Sequence, residues 1–389
     1  MTASASSSSL PELVSGGQVL AEQLGDIGVI TLNRANALNA LSLGMVRDLT
    51  TLLLHWREDR SVSAVLVQGA GRAGKAPAFC AGGDIRFFHQ AALAGNPQLE
   101  DFFTEEYALN HLIHRYPKPY IALMDGICMG GGMGISQGAS VRVVTELSKL
   151  AMPETHIGLF PDVGGGWFLA RCPGHTGEYL ALTGQTLTAA DAISLGLADA
   201  LVPSAALPAL VAALAQPSAV PGGPADIPHT TEEIATRIAA ALKPHAQTAG
   251  EGSLAAHRSA IDLHFSLPTL AAIEASLASD DSEFAKATLA TLHHRSPMMM
   301  AVTLELVRRA RNMTLADDLR LERDLVRHCF QLRPGTASET VEGIRALAVD
   351  KDHHPHWNPP HIADVTPELI APFFASPWPA HVHPLRELD

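Results

Sequence analysis

Residues 151–166, AMPETHIGLFPDVGGG, place two carboxylic acids, Glu154 and Asp162, in a segment otherwise dominated by apolar residues, Gly and Pro. Two acids held within a few ångströms of each other push one pKa upward, which suits proton transfer near neutrality. Each acid also has a plainer reading. Asp162, directly before VGGGWFLAR, is a good helix N-cap, a role worth about 1 kcal/mol, and Glu154 reads equally as a surface turn acid. Two glycine-rich segments add to the picture: AFCAGGDI (78–85) and MGGGMG (129–134) each follow a β-prone run. Glycines there let a ligand approach the backbone and leave amide protons free at helix starts. Two such amides converging on one oxygen form an oxyanion hole.

Three other motifs lack the context their chemistry needs. Gly69, Gly71 and Gly74 spell a dinucleotide fingerprint, and residues 69–75 most of a phosphate-binding P-loop. Neither opens a helix, because Pro77 and AFC come next, and Ala76 stands where magnesium requires a hydroxyl. The stretch reads as a surface loop whose Lys75 is still free to meet a phosphate. GISQG (134–138) matches a nucleophile elbow, yet the preceding strand ends near Gly126, so Ser136 falls inside a helix as a packing residue. The histidines of DKDHHPHWNPPH (350–361) lack the spacing of a zinc helix and read as solvated loop residues, with no metal expected.

The elements that must position the acids are legible as repeats. Residues 18–33 read as a hairpin around Gly-Asp-Ile-Gly, followed by an amphipathic helix capped by Ser42. A short strand over 63–70, AFC, a helix from about Asp84 and a longer one over 99–116 come next. Then KPYIALMDG is a strand, GGGMGISQGAS opens a helix, and VRVVTE and KLAM are short strands. Strand, strand, helix, repeated to about residue 203, predicts an α/β core of stacked ββα turns. PSAVPGGPADIPHTT (217–231) is a Pro/Gly-rich break, and the chain beyond it reads as mainly helical. The expected organisation is a disordered lead-in over 1–16, a ββα core with the active site over 17–205, and a mainly helical C-terminal region over 206–389.

Composition bounds the partners. The chain has 389 residues with 40 acidic against 27 basic side chains, a formal charge of −13. That opposes nucleic acid and anionic membrane surfaces, but not an anionic small molecule held by a few cations and amides. No apolar run reaches the roughly 18 residues of a membrane helix. The first residues, MTASASSSSLPELVSGG, lack the basic and apolar regions of a secretory signal. Four cysteines, Cys80, Cys128, Cys172 and Cys329, show no CxxC spacing. Together these give a cytoplasmic expectation.

The blocks ITLNRANALNALSLGMVRDL, AFCAGGDIR, KPYIALMDGICMGGGMGIS and MPETHIGLFPDVGGGWFLAR resemble consecutive blocks of the crotonase (enoyl-CoA hydratase/isomerase) superfamily. TEEYALN, FPDVGGG and VEGIRALAVDKDHHPHW resemble its 3-hydroxyisobutyryl-CoA hydrolase subgroup more closely. The resemblance implies a crotonase-type spiral of repeated ββα units with a helical C-terminal region. It implies Gly83 and Gly131 as oxyanion-hole donors, Glu154 and Asp162 as catalytic acids, and Glu106 as a substrate contact. Asp84, Cys80 and Arg34 fall in segments that line the coenzyme A groove, and Arg34, Lys75, Arg86 and Lys118 are candidates for its phosphates. Coenzyme A would be part of the substrate, with no separate cofactor or metal. A hydratase's second carboxylate would stand three residues after Gly131, where this chain has Gly134, while Asp162 occupies a position usually glycine in hydratases. The implied reaction is hydrolysis of a short 3-hydroxyacyl-CoA thioester, with an enoyl-CoA hydratase or isomerase, or a non-catalytic CoA-binding protein, as alternatives. A homo-oligomer is implied as well, its form open because the longer C-terminal region can alter assembly.

Overall fold

The structure, a computed structural model, describes residues 10–71, 74–216 and 230–389. The first nine residues of the expected lead-in and nearly all of the Pro/Gly-rich break lie outside the described residues. Where disorder is expected up to residue 16, the chain is instead tied down: the amides of Val14 and Ser15 donate to the buried Asp48 carboxylate at 2.6 and 3.0 Å. A buried acid on the first helix needs donors, and this stretch supplies them.

Two sheets are wound by one alternating path. β1 (Val19–Leu24) and β2 (Ile27–Leu32) form the hairpin. β3 (Ala64–Gly69), β5 (Tyr120–Met124), β7 (Val141–Val144) and β9 (Ala200–Leu201) extend it in parallel, in the order β1-β2-β3-β5-β7-β9. β4 (Ala78–Cys80), β6 (Ile127–Met129) and β8 (Lys149–Ala151) make a second, wholly parallel sheet in that order. Each turn of the spiral therefore places one strand in each sheet before a helix returns the chain, as the ββα repeat predicts. Ser42 caps the first helix, Leu43–Glu58, by accepting from the Met45 amide.

Period-2 alternation serves both faces of the larger sheet. Val65, Val67, Tyr120 and Ala122 face the main core. Ala64, Leu66, Ile121 and Leu123 face a second apolar layer closed by Leu210, Leu214, Ile234 and Ile238. Nearly continuous apolar runs are what a parallel sheet covered on both faces requires. The main core does not stop at the spiral: it continues through Met299, Leu306, Leu319, Val326 and Ile344 of the C-terminal helices. Those helices are thus packed onto the spiral's own interior. No helix among the described residues is long and apolar enough to cross a membrane.

Residues 72 and 73 of the two nucleotide-binding motifs lie outside the described residues, and the next element after β3 is β4, not a helix. Ser136 lies fully buried within the helix Gly131–Gln137, its hydroxyl donating to the Met133 carbonyl at 3.1 Å. The histidine-rich stretch is pinned by Arg345, which pairs with Glu342, Asp350 and Asp352. Among the described residues no cluster of His, Cys, Asp and Glu is arranged to hold a metal.

Candidate active site

The small parallel sheet builds the site at its carboxyl edge. Cys80 pairs with Cys128 and Met129 with Ala151, so the three strands end side by side. The chain leaving β4 carries Gly82 and Gly83, that leaving β6 carries Gly130 and Gly131, and that leaving β8 carries Glu154. Open parallel sheets place ligands at this edge as a rule. These segments line one cavity of about 160 Å³, together with Glu106, Asp162, Phe88, Phe103 and Leu347. Leu347 comes from the C-terminal region, so the far end of the chain helps close it.

Close approach explains the glycines. A Cβ on Gly130 would stand 2.8 Å from Glu154 Oε1, and one on Gly131 2.6 Å from Glu106 Oε1. The same Cβ on Gly131 would lie 3.4 Å from the Gly83 nitrogen, which puts the two amide-bearing segments in contact. Glu106 arrives from the helix Gln98–His114, whose next residue, Tyr107, donates its hydroxyl to Asp162 Oδ2 at 2.7 Å. Glu106 Oε1 and Glu154 Oε2 are buried without a hydrogen-bond partner among the described residues.

Asp162 is not the expected N-cap. The short helix Gly165–Leu169 starts at Gly164 with no cap from its own side chains. Glu322 fills that role from the helix Leu315–Gln331, accepting from the Gly164 amide at 2.7 Å and the Gly166 amide at 3.0 Å. Asp318, one turn earlier, accepts from the Trp167 amide at 2.7 Å. Helix N-termini favour negative charge wherever it comes from. With a two-acid cap supplied in this way, the Asp162 carboxylate is left for the cavity.

Burial raises every one of these acids. Glu106 and Glu154 are pushed well above the ordinary carboxylate range, first by loss of water and then by the charge of Asp162. Asp162 rises to about 6, desolvation being offset in part by the Tyr107 hydroxyl. Asp318 rises to about 7, and Glu322 well above its usual value through burial and the nearby Asp318. His156, also at the cavity, is lowered by burial and by Arg295, whose guanidinium donates to Nδ1 at 2.7 Å and so leaves the ring proton on Nε2.

Residues 27–374 match the family model described as enoyl-CoA hydratase/isomerase. The chain belongs to the enoyl-CoA hydratase/isomerase family. It is 41% identical to the mitochondrial 3-hydroxyisobutyryl-CoA hydrolase of Xenopus tropicalis, covering 93% of this chain and 90% of that one. It is 38% identical to the human mitochondrial 3-hydroxyisobutyryl-CoA hydrolase, with 92% and 89% covered. A solved structure described as a carnitinyl-CoA dehydratase from Mycobacterium thermoresistibile superposes with a TM-score of 0.82 at 39% identity, covering 96% and 99%. Another, described as an enoyl-CoA hydratase from Rhodobacter sphaeroides 2.4.1, gives 0.79 at 37%, covering 92% and 98%. The relatives' mitochondrial names overturn the cytoplasmic expectation. Cysteine usage separates oxidising from reducing compartments, and unpaired thiols do not choose between two reducing ones.

In this member of the enoyl-CoA hydratase/isomerase family, Gly83, Gly131, Glu106, Glu154 and Asp162 all meet at one cavity. Asp84, Cys80 and Arg34 do not reach it. Arg34 pairs with Asp84 at 2.6 Å, and Asp84 caps the helix Ile85–Ala94. Cys80 is buried with its thiol facing the Gly82 carbonyl, and burial pushes that thiol's pKa up. Lys118 donates to the carbonyls of Trp56 and Asp59 as a strut between elements. Arg86 lines a separate groove of about 760 Å³ with His89 and Lys351. Sequence reasoning missed Tyr107, Asp318, Glu322 and His156. A signal for two of them was present: Asp318 and Glu322 fall on the same helical stripe as Leu315, Leu319 and Val326, where an unpaired acid is costly to bury.

The pH dependence of stability follows from the Asp318 shift. A carboxyl whose pKa is higher in the folded chain favours folding while protonated. That contribution is complete below the ordinary 3.8 and is lost as pH rises through about 7. Asp318→Asn carries no charge at any pH. Its denaturation midpoint relative to wild type should therefore climb between about pH 4 and about pH 7, measured by urea unfolding; a difference that stays flat or falls contradicts the assignment.

Proposed function

We propose that this chain hydrolyses a short 3-hydroxyacyl-CoA thioester, 3-hydroxyisobutyryl-CoA above all, to the free acid and coenzyme A, a step of valine breakdown. The observation that carries the choice of hydrolase is Gly134. A hydratase adds water across a double bond and needs two carboxylates flanking Cα and Cβ. At the position of the second, a Cβ would stand 2.3 Å from Asn110 Nδ2 and 2.6 Å from Val163 Cβ. That volume is already filled by protein. The acid stands at 162 instead, hydrogen-bonded to Tyr107. The relatives named 3-hydroxyisobutyryl-CoA hydrolase support the same substrate, and a cavity of about 160 Å³ suits a small acyl group.

In this reading the thioester oxygen sits between the amides of Gly83 and Gly131, which stabilise the charge it gains when water attacks. Glu154 takes a proton from that water as its oxygen bonds to the carbonyl carbon. Collapse of the tetrahedral intermediate breaks the C–S bond, and the proton held by Glu154 passes to the departing sulfur. Asp162 and Glu106 orient the substrate hydroxyl and the water. A general base works best with a pKa near the working pH, and burial moves Glu154 upward in that direction. The groove bearing Arg86 and Lys351 is the seat we assign to the anionic end of coenzyme A. It lies on the helix Ile85–Ala94, whose Ile85 and Phe88 face the acyl cavity.

Purified protein should release free thiol from 3-hydroxyisobutyryl-CoA and leave the enoyl absorbance of crotonyl-CoA nearly unchanged. Rapid loss of that absorbance without thiol release would favour the hydratase. Gly134→Glu should not install hydration; overpacking of this kind costs about 1–3 kcal/mol, visible as a lowered urea midpoint. Glu154→Gln should lower kcat by about 100-fold or more, the scale of a lost general base, with coenzyme A binding retained. Asp162→Asn should also lose activity without a fall in its unfolding midpoint, since the helix it precedes is capped from elsewhere. Near wild-type turnover in both variants would show that these carboxylates are structural.

A further inference from the structure

We infer that Glu322, with Asp318 beside it, is a positioning residue that sets the aim of Asp162 from a helix more than 150 residues away in the chain. The inference rests on the reading of Asp162 given above. The backbone after Asp162 takes two successive left-handed residues, Val163 at φ 57° and Gly164 at φ 86°. A β-branched residue is a genuine outlier there and persists only when its surroundings over-determine it.

Three contacts supply that determination. The Asp162 carbonyl accepts from the Gly165 amide at 2.8 Å, closing the turn from within. Val163 packs against the face opened by Gly134. Glu322 then holds the amides of Gly164 and Gly166 with one oxygen each. Because Tyr107 is, among the described residues, the only side chain bonded to the Asp162 carboxylate, its direction depends on where this turn sits.

The chemistry of the clamp depends on which acid is charged. Glu322 meets two amide donors and Asp318 one, so the charge carried by the pair is held against these three amides. Both are fully buried, and mutual repulsion keeps a proton on the pair near neutrality. Gly166 is glycine for the same reason: a Cβ there would stand 2.5 Å from Asp318 Oδ1. Glu322→Gln would turn an NH₂ group toward a backbone N–H and lose one of the two anchors.

The test is a double-mutant cycle on the full chain, with kcat and KM for 3-hydroxyisobutyryl-CoA. Glu322→Gln should lower kcat about tenfold or more with KM within about twofold, and the Asp162→Asn/Glu322→Gln double variant should be no slower than Asp162→Asn alone. A residue that merely holds the fold would multiply the losses in the double variant. If Glu322→Gln does not fold, Glu322→Asp, which keeps the charge but is one methylene short of spanning both amides, goes through the same cycle. Multiplying losses, or a folded Glu322 variant with wild-type kcat, overturns the inference alone. Wild-type turnover in Asp162→Asn overturns the reading of the site, and this inference with it.

Discussion

Five carboxylic acids, Glu106, Glu154, Asp162, Asp318 and Glu322, are withdrawn from water around one turn of the chain, each at most 6% exposed. Burying a charge without a partner is among the most costly acts in folding. Among the described residues none of the five has a Lys or Arg ion pair. What meets them is the Tyr107 hydroxyl and the amides of Gly164, Gly166 and Trp167. Those donors cannot sustain five negative charges, so the cluster keeps protons at pH values where exposed acids have none. Raised pKa values at the cavity are therefore a consequence of how the molecule is built, and proton transfer near neutrality becomes available there.

The same crowding separates reactions on a shared fold. Solved structures described as hydratase and dehydratase superpose on this chain at an identity close to that of the relatives described as hydrolases. Overall likeness cannot decide between them. A single position does better, because it concerns where a proton donor can physically stand. With Asn110 and Val163 occupying the space beyond Gly134, one direction of approach to the substrate is closed. The acid at 162 lines the cavity instead.

The ββα repeat is readable from period-2 and helical spacing, and the strand–glycine–helix junctions at 78–85 and 129–134 are readable because glycine marks close approach. Glu154 and Asp162 are conspicuous as acids in an apolar run. The cap on the glycine helix is not readable in the same way. Local sequence offers Asp162, which is adjacent, whereas the structure uses Glu322, which is distant; capping rules are local and tertiary packing is not. Nor does the chain alone show that Arg34 and Asp84, both in segments taken to line the ligand groove, pair with each other. Tyr107 lies inside the TEEY block, but nothing in the chain alone shows that its hydroxyl crosses to residue 162.

The distant cap matters because the two tasks available to Asp162 compete for the same oxygens. An aspartate that caps the helix behind it points its carboxylate back at amides within two or three residues. One that serves a cavity must point away from them. Local sequence cannot satisfy both, since residues 163–166 are Val, Gly, Gly and Gly and offer no second acceptor. A helix from outside the spiral resolves the conflict by bringing its own acids to the orphan amides. The cost is two more buried carboxyls, and the charge of Asp162 adds to the upward shift of Glu322. Release of Asp162 from capping thus depends on the C-terminal helices packed into the spiral's core, while its shift toward neutrality comes from burial.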